Sequence, residues 1–118
     1  MTYTVADLLD HAALSTAALI GGAAGLSRTV TDVVLLPVAD VATSLIPAGS
    51  FIVVSTDDAP EDRWLHRIDL LLRKAERADA SGVVVHIAQE QPLPLASSLL
   101  ADRLGLPLAI VRGPGSAL

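Results

Sequence analysis

Phe51-Ile52-Val53-Val54 and, a helix-length interval later, Val83-Val84-Val85-His86-Ile87 are the stretches that decide the fold. Each is an apolar run without polar alternation, the pattern of a strand covered on both faces, as in parallel sheets. Between them, Asp58-Ala59-Pro60-Glu61 has the spacing of a capping box, with proline in the first turn, where its missing N–H costs nothing. A helix over about 59–80 follows, with Trp64, Ile68, Leu71, Leu72 and Ala75 as its apolar stripe. Asp69 and Arg73 are spaced as an i,i+4 ion pair. Gly82 reads as the stop. Leu95, Leu99, Leu100 and Leu104 predict another helix, ended by Gly105 in the left-handed position with Pro107 behind it. Leu108 to Val111 reads as a last short strand.

The first half is less regular. Thr4-Val5-Ala6-Asp7 is a second capping-box pattern and opens a short helix to about Asp10. Ala17 to Ile20 reads as a strand stopped by Gly21 and Gly22. Arg28 to Leu36 reads as one β-branched strand that Pro37 ends. A helical turn is expected over Asp40 to Leu45, and Pro47-Ala48-Gly49 is a turn signal. The sum is an α/β fold: a mainly parallel sheet of about four to five short strands, covered by helices, in a single domain. Residues 1–111 form that domain, and 112–118, with two glycines and a proline, read as a linker stub.

Composition narrows the function. At 118 residues with 52% apolar and 18% charged residues, the chain builds one aliphatic core and is not intrinsically disordered. Tyr3, Phe51 and Trp64 are its only aromatics, too few for a base-stacking platform. A net charge of −5 opposes phosphate neutralisation, so no nucleic acid is expected as a partner of this domain. The absence of cysteine excludes disulfides and thiolate zinc sites. No segment has the form of a signal peptide or membrane span, so a cytoplasmic location without membrane contact is expected. The apolar excess points to self-association as a homodimer, through Val38 to Ile46 and the stretch around Leu19.

Three motifs carry a family resemblance. Thr4-Val5-Ala6-Asp7-Leu8-Leu9, Ala24-Gly25-Leu26-Ser27-Arg28-Thr29-Val30 and Arg103-Leu104-Gly105-Leu106-Pro107-Leu108 stand in order along the chain. Together they resemble the N-terminal domain of PucR-type (purine catabolism regulator-like) bacterial transcription factors. The resemblance implies a sensory or regulatory domain that binds a small purine-degradation metabolite, mediates dimerisation, or both. It places the DNA-binding helix-turn-helix in a C-terminal part outside this chain. The sequence departs from the family pattern at Ser27, at Leu36-Pro37, and in Gly49 to Thr56, notably at Ser50 and Thr56.

Candidate chemistry is sparse. Gly21-Gly22-Ala23-Ala24-Gly25 fails the register of a dinucleotide fingerprint, lacks a P-loop lysine, and reads as a tight turn. Ser55, Thr56, Asp57 and His86 fall at strand carboxyl ends, where open α/β sheets bind ligands, and form the candidate effector site. Asp57 and Asp58 are either a solvated carboxylate and a helix cap or a pair able to hold Mg²⁺. His86 is either a satisfied core histidine or a pocket group. His11 and His66 complete no metal set, so no metal, cofactor or catalytic residue is expected. The alternative function is a small stand-alone α/β enzyme or phospho-acceptor that uses Asp57.

Overall fold

In a computed structural model, the chain is described over residues 3–10, 18–37, 40, 41, 43, 45–55, 61–87 and 95–112. The elements run β1 (Tyr3–Thr4), α1 (Val5–Leu9), β2 (Ala18–Gly21), a 3-10 turn (Ala23–Gly25), β3 (Thr29–Val30), β4 (Asp32–Pro37), β5 (Ser50–Ser55), α2 (Glu61–Arg77), β6 (Gly82–Ile87), α3 (Leu95–Leu104) and β7 (Leu108–Arg112). Five strands form one sheet in the order β2-β7-β6-β5-β4. The pairs β4–β5, β5–β6 and β6–β7 are parallel; β2 runs antiparallel to β7, with a register irregularity between Leu19 and Gly21. The runs around Phe51, Val83 and Leu108 therefore share one sheet, as their lack of alternation requires.

The helix covering is uneven. One face carries α2 and α3, whose Ile68, Leu71, Leu72 and Ala101 join Ile52, Val54, Val83, Val85, Leu108 and Ile110 in the larger core cluster. On the other face, Phe51, Val53, Val84, Ala109 and Val111 meet Val5, Leu8 and Leu9 around α1, together with Leu26 and Val30. Two short elements, α1 and the β1–β3 ribbon, do the work there of two long helices opposite. Val33 and Leu35 of the edge strand β4 stay exposed, Leu35 by 77%.

Three sequence expectations change. The single strand over Arg28 to Leu36 is two strands: β3 leaves the sheet to pair antiparallel with β1. Thr31 makes the break, its N–H donating to the Gly49 carbonyl at 2.9 Å and its hydroxyl to the Ala48 carbonyl at 3.3 Å. The long helix ends at Arg77, short of Gly82, because Asp79 takes a left-handed φ of 60°. Ala80 N–H donates to the Ala75 carbonyl and Asp79 N–H to the Glu76 carbonyl, which is the Schellman closure. The third change is in α3. Leu99 points outward, 59% exposed, while Ser97 and Ala101 are buried. The cause is Gly21: a Cβ there would lie 2.6 Å from the Ser98 carbonyl oxygen and 3.0 Å from Ala101 Cβ. The helix sits low over β2 with Ser97 and Ala101 buried, while Leu100 and Leu104 pack partly buried against the larger core as their spacing predicts.

Other readings hold. Thr4 and Asp7 close the capping box of α1, Thr4 N–H donating to Asp7 Oδ2 at 3.0 Å and Asp7 N–H to Thr4 Oγ1 at 3.2 Å. Pro37 is the last residue of β4. Within the segment from Val38 to Ile46 expected to carry self-association, Val41 is fully buried in the larger core and Leu45 is exposed to solvent. The capping box at Asp58 lies outside the described residues. Among the described residues, no helix is long and apolar enough to cross a membrane.

Candidate functional site

Ser55 and His86 are the two sequence-read candidates that the structure places. They are paired across β5 and β6 at the carboxyl ends of both strands. His86 is 1% exposed and Ser55 is half-buried. On its other side His86 is in register with Val111 of β7. An imidazole is an unusual occupant of a strand otherwise made of glycine, valine and isoleucine, and it is buried only where its nitrogens are satisfied. Both residues are engaged in interactions of their own. Thr56 and Asp57 lie outside the described residues. No group of His, Asp or Glu able to hold a metal ion occurs among the described residues.

The opposite end of the sheet holds a cluster that sequence reasoning left unread. A recess of about 250 Å³ is lined by Arg28, Thr29, Gly49, Asp79, Ala80 and Ser81. Arg28 Nη1 donates to the Ala80 carbonyl at 3.1 Å and stands 3.9 Å from Asp79 Oδ1. The buried Ser81 hydroxyl donates to the Gly49 carbonyl at 2.8 Å and also meets the Thr29 carbonyl. Gly49 N–H closes the circle by donating to the Asp79 carbonyl at 2.9 Å. Arg28 thus ties the end of α2 to the segment between the 3-10 turn and β3. With Asp79 90% exposed, the ion pair is a minor part of that tie.

The motifs quoted above converge on this end. Val5 N–H donates to the Arg28 carbonyl at 3.0 Å and Ala6 N–H to the Leu26 carbonyl at 3.1 Å, joining the first motif to the second. Gly25 joins the second to the third, since a Cβ on it would come within 2.2 Å of the Gly105 carbonyl oxygen and 2.7 Å of Pro107 Cδ. Gly22 N–H adds a 2.7 Å bond to Asp102 Oδ1. Three segments remote in sequence make one assembly at the amino ends of the strands.

A family model described as the purine catabolism regulatory protein-like family (PucR) matches residues 7–114, nearly the whole chain. The chain belongs to that family. Within this PucR-family domain the motifs carry architecture: they fasten α1, the 3-10 turn and the ends of α2 and α3 together at the amino ends of the strands. The effector candidates sit at the other end. A comparison with curated proteins finds no match. The sequence signal for the Arg28 assembly was present in Ser27-Arg28-Thr29, but its partner, the left-handed Asp79, carries no glycine to advertise the turn.

Proposed function

We propose that this PucR-family domain is the non-catalytic sensory module of a bacterial transcriptional regulator. It binds a small metabolite of the purine-degradation type beyond the carboxyl ends of β5 and β6, self-associates as a homodimer, and works in the cytoplasm. Family membership supports the regulatory role. The observation that carries the site is His86 beside Ser55: two polar side chains at the strand ends of an aliphatic parallel sheet, where such folds receive ligands. Dimerisation is supported by the exposed aliphatics Val33, Leu35 and Leu45. DNA binding belongs to a separate part of such a regulator, in keeping with the net charge of −5.

A thermal-shift screen with purine-degradation metabolites tests the sensory role, because a ligand of the folded state raises its melting temperature. The effector should shift the native chain, and Ser55→Ala with Asp57→Ala should remove the shift while leaving the unliganded melting temperature nearly unchanged. An unchanged shift in that double variant rejects the site. A screen without any shift rejects the ligand. Sedimentation equilibrium over a micromolar concentration series tests the dimer, and a single species of 12.2 kDa throughout rejects it.

A further inference from the structure

Within α2 and α3 six basic residues stand beside five acidic ones, so the helical layer as a whole is nearly balanced and its positive charge is local. Between the two helices runs a groove of about 270 Å³, lined by Asp69, Arg73, Ala96, Leu99, Leu100 and Arg103. Asp69, spaced to pair with Arg73, instead accepts a 3.0 Å hydrogen bond at Oδ1 from the buried Ser97 hydroxyl. Among the described residues neither Arg73 nor Arg103 makes an ion pair. The apolar lining is the consequence of the low seat of α3, which turns Leu99 out to solvent. Leu70, one turn before Arg73 on α2, is exposed as well.

We propose that this groove docks an acidic, leucine-bearing amphipathic helix of a partner protein. Charge complementarity selects the occupant: carboxylates on the incoming helix meet the two guanidiniums while its leucines cover Leu99 and Ala96. A shallow channel between two helices suits a helix laid along it, with anchors at i, i+3 or i+4 and i+7. A second copy of this chain, stacked through the same face about a two-fold axis, gathers four guanidiniums in one interface against two Asp69 carboxylates that Ser97 already engages. That repulsion argues against self-association here. The proposal is independent of the effector site, which belongs to the carboxyl ends of the strands.

The test uses a fluorescein-labelled peptide of sixteen residues, with leucines on one helical face and glutamates beside them, titrated with the full chain and read by anisotropy. Saturable binding is expected in the micromolar range, weakening as salt rises. Arg73→Gln with Arg103→Gln should weaken it about tenfold or more, and Leu99→Ser severalfold, at unchanged urea midpoints. A peptide with lysine in place of glutamate should not bind. Equal binding of the lysine peptide, or undiminished binding by the arginine double variant, overturns the proposal. So does full displacement by equimolar succinate, which assigns the groove to a small anion. A concentration-dependent dimer abolished by the same arginine changes assigns it to a second copy and equally overturns the proposal.

Discussion

The two helices α2 and α3 lie on the same face of the same sheet, yet they bury different things. Beneath α2 are Ile68, Leu71, Leu72 and Ala75, the stripe its sequence announces. Under α3, Ser97 and Ala101 are buried, Leu100 and Leu104 are only partly covered by the core, and Leu99 faces water. The difference lies in what each helix rests on. The larger helix faces the valines and isoleucines of β5 and β6, which hold it at the distance large side chains need. The smaller one crosses β2 at Gly21, where backbone nearly touches backbone. Helical periodicity finds the buried face when the floor is bulky; over a glycine the helix tips inward and small residues take the seat.

Breaking α2 should have the largest effect. Leu71 is fully buried at the centre of the larger cluster, so Leu71→Ala loses both its transfer free energy and leaves a cavity. A loss of about 2–5 kcal/mol is expected from urea unfolding. The matching change in α3 is enlargement. Ala101→Leu pushes a branched side chain toward the backbone of Gly21 and should cost about 1–3 kcal/mol. If it costs nothing, α3 does not rest on β2 in solution.

How much of this was legible follows the same line. The order strand, helix, strand, helix, strand from Phe51 onward was readable because apolar runs and helical periodicity act locally. The split of Arg28 to Leu36 was not, because Thr31 is turned by carbonyls of residues 48 and 49, contacts a linear pattern does not contain. The burial of Val41 is not legible for a similar reason: one isolated valine has no period, and its neighbour is α2, whose Lys74 Nζ donates to the Val41 carbonyl at 2.7 Å. At the candidate site, His86 was legible as a break in a valine run. Its register opposite Ser55 was not, since strand pairing is a tertiary fact.

The helix ends sharpen the comparison with smaller effects. Both helices close by the same motif: Leu106 N–H donates to the Ala101 carbonyl and Gly105 N–H to the Asp102 carbonyl, as Ala80 and Asp79 do for α2. At α3 the left-handed residue is Gly105, with φ 63°; at α2 it is Asp79, with φ 60°. Gly105→Ala should therefore destabilise by about 1 kcal/mol, the cost of placing a Cβ in the left-handed region. Asp79→Gly should stabilise by about 0.5 kcal/mol, less than the full left-handed cost, because glycine adds freedom to the unfolded chain. A loss of stability in Asp79→Gly would show that the contact with Arg28 outweighs backbone strain.

The smallest expected effect is at Leu99. If α3 needed its leucines for the core, Leu99→Ser would cost as much as other buried leucine truncations. With the side chain 59% exposed, the change removes little apolar area from burial. Serine has a slightly lower helix propensity than leucine, which adds a few tenths of a kcal/mol at most. The unfolding free energy in urea should then stay within about 0.5 kcal/mol of the native chain's. The same variant is expected to weaken acidic-peptide binding, so the two measurements separate a surface leucine kept for contact from one kept for packing. A loss of unfolding free energy of about 2 kcal/mol or more would mean that Leu99 turns inward together with Leu100 and Leu104, as the spacing alone implies.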